Sequence, residues 1–404
     1  MGGSAVDIAM HILVLNPGSS SIKFSMYAED GDELRSLYEG ELSGIGTALA
    51  KLEFRDAGGN DLSAGVGEVK AGSMDEAIGT FERAIGLAGL PKADAVGYRV
   101  VHPGPRLRGH QLVTPAVLEE LKKAEVFAPL HDPEAVGMME EMMQRQPGVP
   151  RYACFDTVFH ETMPEVATVY ALPEAVRAEG VRRYGFHGLS CESVVMQMRA
   201  AQGAEFPRRM AIAHLGSGCS VTACIDGMSV DTTMGLTPTG GAVMGTRPGD
   251  LDPGVVLYLL RREGATVETV EAMLNHDSGL KALGGVNDMR ELRKRAAAGD
   301  EAARLATRVF CRSVLRAIGG FIAMYGVDTL VFTGGIGEND ATSREQIVAD
   351  LIGLGLLLNV EANRAEQNET VRRVSTGDSA IAVYVVPAEE DKMIAWHVAR
   401  MCRE

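Results

Sequence analysis

The chain has 404 residues, with 39 Lys and Arg against 54 Asp and Glu, a formal charge of −15. That length fits two domains or one large one, and 46% apolar with 23% charged residues excludes general disorder. The acidic balance argues against a nucleic-acid partner, whose phosphates need clustered Lys and Arg, and no apolar run approaches the ~18 residues of a membrane helix.

In chain order the elements read as α/β. Residues 12–15 are a short branched apolar run stopped by Asn16-Pro17-Gly18, a strand and a turn; 21–27 resume as a second strand before Glu29-Asp30-Gly31-Asp32. Helical spacing follows at 75–87 and 115–124, with strands at 95–101 and 152–155. The pattern of residues 12–21 returns at 210–219, again with a second strand and an Asp-Gly turn, here Asp226-Gly227. Two strand–Gly/Ser turn–strand units half a chain apart point to an internally duplicated fold. A third glycine turn, Gly334-Gly335-Ile336-Gly337-Glu338-Asn339, follows a strand at 329–333, then a helix-like run at 343–351. Glycines at strand ends let backbone N–H groups approach a phosphate closely.

Six scattered cysteines without CxxC spacing read as reduced, mostly buried thiols of a cytoplasmic protein, and the N-terminus lacks the basic n-region of a signal peptide. Asn368-Glu369-Thr370 is then a chance sequon. There is no Walker A loop, no Gly-x-Gly-x-x-Gly in the candidate turns and no zinc spacing of His or Cys. Ser20-Ser21-Ile22-Lys23 matches Ser-x-x-Lys but lacks the Ser-Asp-Asn and Lys-Thr-Gly that would support it.

What remains is a set of polar residues at strand ends beside Gly or Pro: Asn16, Arg99, His102, His131, Asp132, Asp156, His160, His187, His214, Arg247, Asp250, Asp288, Arg290, Glu338 and Asn339. Open α/β sheets bind ligands at the carboxyl ends of their strands. Arginines and histidines with a few carboxylates suit phosphoryl transfer, where cations offset charge on the moving group and carboxylates hold Mg²⁺.

Eight segments carry a resemblance to the acetokinase family, within the acetate and sugar kinase/Hsp70/actin superfamily. They are residues 14–23 (VLNPGSSSIK), 99–102 (RVVH), 128–131 (APLH), 155–160 (FDTVFH), 183–188 (RYGFHG), 214–216 (HLG), 244–253 (MGTRPGDLDP) and 332–339 (FTGGIGEN). The resemblance implies two related lobes of the actin-like ATPase (ribonuclease H-like) fold with an active-site cleft between them. The lobes are expected as 1–160 plus 392–404, and 161–391, the latter binding nucleotide and forming a homodimer. It implies an ATP-dependent kinase that makes acetyl phosphate from acetate reversibly, with Mg²⁺ (or Mn²⁺) and ATP/ADP, and neither a nucleic-acid nor a membrane partner.

By position, Arg99 would hold the acyl carboxylate and Arg247 the transferring phosphoryl group. His187 would hydrogen-bond that group with support from His131, and Asp156 would orient the arginines or the metal. Asn16 and Glu390 would position Mg²⁺, with Glu389 and Asp391 adjacent alternatives to Glu390. Val101, Leu130, Phe186 and Pro238 would form the acyl-methyl pocket. Asn16, Ser19, Ser21, Lys23, His214, Gly216, Ser217 and Gly218 would line the phosphate loops, Lys23 fitting equally a solvated strand lysine. Asp288, Met289, Arg290, Gly335, Ile336, Gly337 and Asn339 would form the adenosine pocket. His102 and His160 read as structural histidines, and Met138, Met139, Met142 and Met143 as core.

Four positions depart from the resemblance: Ser217 and Asp132 stand where Asn is usual, Cys191 where His is common and Gly240 where Glu is usual. Asp132 is expected to add a negative charge near an anionic substrate. Two rival functions are a propionate or butyrate kinase of the same family, which the bulk of Val101 disfavours, and an actin/Hsp70-like nucleotide switch, which would need no carboxylate clamp.

Overall fold

The computed structural model describes residues 9–404 except 19, 32, 48, 128–131 and 367–368. Two compact units emerge, Met1–Val158 with Glu389–Glu404, and Phe159–Ala388. The junctions differ from the expected 160/161 and 391/392: the acids Glu389, Glu390 and Asp391 belong to the first unit because the helix they open, Glu390–Arg403, packs on that unit's sheet.

The first unit is built on β1 (His11–Pro17), β2 (Ser21–Asp30), β3 (Glu33–Ser43), β4 (Lys51–Asp56), β5 (Ala95–Val100), β6 (Gln111–Leu112) and β7 (Arg151–Phe155). Their order in the sheet is β4-β3-β2-β1-β5-β7-β6. The second contains β8 (Arg209–Leu215), β9 (Cys219–Ile225), β10 (Met228–Thr232), β11 (Thr329–Thr333), β12 (Arg372–Arg373) and β13 (Ala382–Val385), in the order β10-β9-β8-β11-β13-β12. Each sheet runs an antiparallel meander into two parallel strands and ends on an antiparallel edge. Thus β1, β2, β3, β5 and β7 correspond to β8, β9, β10, β11 and β13. The duplication read from the repeated turn is the same five-stranded topology built twice, that of the actin-like ATPase lobe.

Sequence chemistry explains the local choices. β9 and β10 join through Asp226-Gly227, both at positive φ (53° and 81°), the two-residue turn whose twist suits a tight hairpin. β8 and β11 are buried nearly throughout, as expected of strands in a sheet covered on both faces. On β5, Gly97 is required by close packing: a Cβ there would lie 2.6 Å from Ile394 and 2.8 Å from Val398 of the C-terminal helix. Met138, Met139 and Met142 are core residues of the first unit with Met143 against them. All six cysteines are free thiols, five of them buried.

One expected turn is a helix. Gly334 takes φ 76° and leads straight into a helix over Gly334–Asn339, followed by another at Ala341–Ala349. The glycines that suggested a loop instead let the helix start against β8, since a Cβ at Gly334 would meet the Leu215 carbonyl at 2.9 Å and His214 Nε2 at 3.1 Å. No helix among the described residues is long and apolar enough to cross a membrane.

Candidate active site

In the first unit the site is an arginine held by two carboxylates. β5 delivers Arg99 and β7 ends at Asp156, side by side because these strands pair in parallel. Arg99 Nε donates to Asp156 Oδ1 (3.0 Å), Nη2 donates to Oδ2 (2.6 Å), and Nη1 lies 3.0 Å from Glu390. Burial alone would depress the guanidinium, but the charges of Asp156 and Glu390 outweigh it and hold Arg99 above its ordinary pKa. Of five N–H donors these contacts use three, which leaves one on each terminal nitrogen, enough for a carboxylate ligand.

The three adjacent acids separate cleanly. Glu390 faces Arg99; Glu389 pairs with Lys392; Asp391 is half-buried, accepts from Ser25 Oγ (2.8 Å) and is pushed up by desolvation. Asn16 is half-buried at the end of β1, next to the Gly18–Ser21 turn closed by a 2.7 Å backbone bond, while Lys23 is exposed on β2. Val101 is half-buried just past Arg99. Ser19, Leu130 and His131 lie outside the described residues.

Asp132, expected to add a negative charge, is fully buried; its Oδ1 accepts from the N–H groups of Val101 (3.2 Å) and His102 (3.3 Å), and burial pushes its pKa up to about 8.

In the second unit the site is an arginine without a carboxylate. Among the described residues Arg247 has no acidic partner; its Nη1 donates to the Pro238 carbonyl (2.6 Å), and burial draws its pKa below the ordinary arginine range. His187 sits beside it in left-handed backbone (φ 59°), ahead of the helix Gly188–Gln202. Both converge on the turn between β8 and β9: a Cβ at Gly218 would lie 2.9 Å from Arg247 Nη2 and 3.1 Å from His187 Nε2. Only glycine leaves that space open. His187 Nδ1 bonds Ser220 Oγ (3.0 Å), its ring stacks on His214 at 4.0 Å, and His214 Nδ1 bonds Ser190 Oγ (2.8 Å). Ser217 is exposed at the tip of the turn, its carbonyl accepting from Gly245 N. Cys219 donates to the Gly216 carbonyl and burial pushes its thiol up to about 12, so it shapes the turn rather than reacting.

The remaining residues divide. Gly335, Ile336, Gly337 and Asn339 share the helix after β11, whose first turn lies close to His214 and the Gly216 turn. Asp288 caps the helix Met289–Ala297, accepting from the Arg290 and Glu291 N–H groups, and pairs with an Arg290 that is otherwise exposed. Met289 is buried, so its side chain belongs to the core. Phe186 and Pro238 are buried next to His187 and Arg247. His160 is structural: buried between Ser229 Oγ and the Phe186 carbonyl, it is drawn down to about 4 by burial. His102 accepts from Gly104 N and stacks on Phe127. Cys191 is core, near Thr222, and a Cβ at Gly240 would lie 3.4 Å from Asp250 Oδ1.

Sequence reasoning missed Ser220, Ser190 and Ser25, common residues whose value comes from what faces them. It also missed Arg344, fully buried, which donates to the carbonyls of Gly337 and Glu338 and so fixes the end of the glycine helix.

The chain is similar to known proteins over nearly its whole length. The chain is 43% identical over 397 residues to the acetate kinase of Deinococcus radiodurans, covering 96% of this chain and 98% of that protein. It is 40% identical to the acetate kinase of Micrococcus luteus, over 97% and 100%. Among solved structures, a propionate kinase from Francisella tularensis superposes with TM-score 0.89 at 35% identity, covering 97% and 100% of the two chains. Porphyromonas gingivalis acetate kinase follows with 0.85 at 31%, over 98% and 100%. The acetokinase family model matches residues 11–396, which span both arginine sites and both copies of the fold, and the chain belongs to that family.

Proposed function

We propose that the chain transfers the γ-phosphoryl group of ATP reversibly to acetate, giving ADP and acetyl phosphate. The observation that carries this reading is Arg247, a desolvated guanidinium without an acidic partner among the described residues, converging with His187 on Gly218. Such a cation is stabilised by an incoming anion, and the charge on a transferring phosphoryl group is the anion that matters in the transition state.

Arg99 receives the acid. Its two remaining N–H donors match a carboxylate, and Asp156 fixes the fork that presents them. A carboxylate oxygen attacks the γ-phosphorus in line while the bond to the β-phosphate oxygen breaks, with no phospho-enzyme. Arg247 and His187 bind the equatorial oxygens, and His131 would support them. Val101, Leu130, Phe186 and Pro238 are the apolar residues we assign to the methyl group. The turn residues Asn16, Ser19, Ser21, Lys23, His214, Gly216, Ser217 and Gly218 hold phosphates through N–H and O–H donors. The glycine helix with Asp288 and Arg290 receives the nucleoside.

Asn16 and Glu390 offer only oxygen donors, which suits Mg²⁺ or Mn²⁺ with phosphate oxygens and water completing the shell. When bound, the ion neutralises charge on the β- and γ-phosphates.

We also infer a cytoplasmic homodimer. Six free thiols support a reducing compartment. The helix Pro253–Leu260 has no buried residue and exposes Val255, Leu257 and Tyr258 at 41%, 51% and 65%, an apolar face that a second copy would cover. Light scattering at micromolar concentration tests it; a monomer there removes this face as a dimer contact.

The function is tested by incubating pure protein with Mg-ATP, hydroxylamine and acetate, propionate or butyrate in turn. Acetyl hydroxamate is expected to form fastest. Propionate is the second reading, favoured by the Francisella structure; faster propionyl hydroxamate would install it. No hydroxamate from any acid would end the kinase reading.

A further inference from the structure

Asp132 lies in the first unit, where no Arg or Lys among the described residues pairs with it. Its Oδ1 accepts from the two consecutive N–H groups after β5, Val101 and His102, and so fixes the chain just beyond Arg99. Its Oδ2 is buried with no hydrogen-bond partner among the described residues. The charged and titratable groups facing it are Asp156 beyond β7, Glu125 on the short turn Glu125–Phe127, and His102, whose N–H it holds. No Arg or Lys hydrogen-bonds it among the described residues. Its position at the start of the helix Asp132–Arg145 favours the anion, but a helix terminus acts far more weakly than full burial beside two acids.

We propose that Asp132 is a positioning residue for the acid substrate that works as the neutral carboxylic acid: Oδ1 holds the end of β5 beside Arg99, and ionisation at the second oxygen would set an anion against the incoming carboxylate. Arg99 already answers to two carboxylates, Asp156 and Glu390, so a third anion nearby would add directly to the repulsion that an incoming carboxylate must overcome. The proposal rests on Arg99 as the carboxylate clamp. It makes acid binding a function of pH at a residue that touches neither nucleotide nor phosphoryl group.

The test measures KM for acetate and KM for Mg-ATP from pH 6.5 to 9.5 in the wild type and in Asp132→Asn, which cannot ionise in this range. With the acid titrating near pH 8, the wild-type KM for acetate rises by about tenfold between pH 7 and pH 9, the ratio of protonated fractions. KM for Mg-ATP does not follow it. In Asp132→Asn the acetate profile is flat. Asp132→Ser, which keeps an acceptor oxygen for the two N–H groups, is flat as well and serves if the asparagine variant folds poorly. An independent readout is thermal stability. A carboxyl raised in the folded state gives stability that is full below its unfolded pKa and is lost as pH rises through the folded one. The wild type therefore weakens relative to Asp132→Asn between pH ~4 and ~8. The same alkaline rise in Asp132→Asn, or a rise in KM for Mg-ATP instead, overturns the proposal. Arg99→Ala is run beside them: if it leaves KM for acetate unchanged, the clamp reading fails and the proposal falls with it; if the clamp stands and the asparagine profile still rises, the proposal alone fails.

Discussion

The two units each carry one arginine at a strand-end site, and they treat it oppositely. Arg99 is matched by Asp156 and Glu390, so its local charge is cancelled and what it offers a ligand is direction: two N–H donors in a fixed plane. Among the described residues Arg247 has a proline carbonyl and the neighbourhood of His187 but no acid, so what it offers is uncancelled charge in a half-buried setting. A paired arginine orients an anion that is already formed; an unpaired one stabilises charge that is developing. In the function proposed above, the difference separates ground-state binding in the first unit from transition-state stabilisation in the second.

The largest expected effect tests that separation. Arg247→Ala should lower kcat by about a thousandfold, roughly 4 kcal/mol, with little change in KM for acetate. Its folded state should be as stable as the wild type or more so, because a desolvated cation without an acidic partner has been removed. Arg99→Ala should instead raise KM for acetate. Steady-state kinetics of the pair decide the matter, and identical signatures would erase the contrast.

Next is the carboxylate that makes Arg99 what it is. Asp156→Ala leaves a buried guanidinium short of its main partner, an effect of about 3–5 kcal/mol when a buried pair is broken. Urea unfolding measures it. A loss below ~1 kcal/mol would mean that Glu390 suffices and that Asp156 is not the structural anchor.

The strands and turns were legible because branched apolar runs ending in Gly, Pro or Asp are local signals. Much of residues 253–325 was not. Pro253–Leu260 is apolar on every side, so no helical period shows, and Glu301–Tyr325 mixes arginines among its core positions. The arginines and His187 were legible from their motifs. Of their partners Asp156 was legible as orienting the arginines, but Glu390 only as a residue for the metal, because it reaches Arg99 from the far end of the chain, and Ser220 is one serine among many until β9 turns it toward His187. The burial of Asp132 was not legible either, since burial is not written in a sequence.

A pH experiment sharpens the comparison from the side of stability. His160 in the second unit is neutral in the fold, drawn to about 4 by burial, against about 6.5 in an unfolded chain. Its contribution is whole above pH ~6.5 and is lost as pH falls toward ~4, because only the unfolded state takes up the proton; the loss amounts to about 3 kcal/mol. His110 in the first unit, drawn down to about 3, acts with the same sign. Melting curves of the wild type and His160→Asn between pH 4 and 7 should show a shallower decline in the variant. An equal decline would assign acid sensitivity to the first unit.

The smallest effect concerns how His187 is aimed. Ser220 is fully buried on β9, with its hydroxyl 3.0 Å from Nδ1 of His187, while the opposite nitrogen faces the space above Gly218. Ser220→Ala removes the bond and keeps the stacking on His214. Stability should fall by about 1 kcal/mol, the usual worth of one hydrogen bond. Turnover should drop by about tenfold with both KM values unchanged, because a mis-aimed imidazole weakens only the contact made as charge moves. If turnover instead falls as far as in Arg247→Ala, the unpaired arginine is not the main source of stabilisation. The second unit would then work through an aligned histidine, and its difference from the first would lie in geometry rather than in charge.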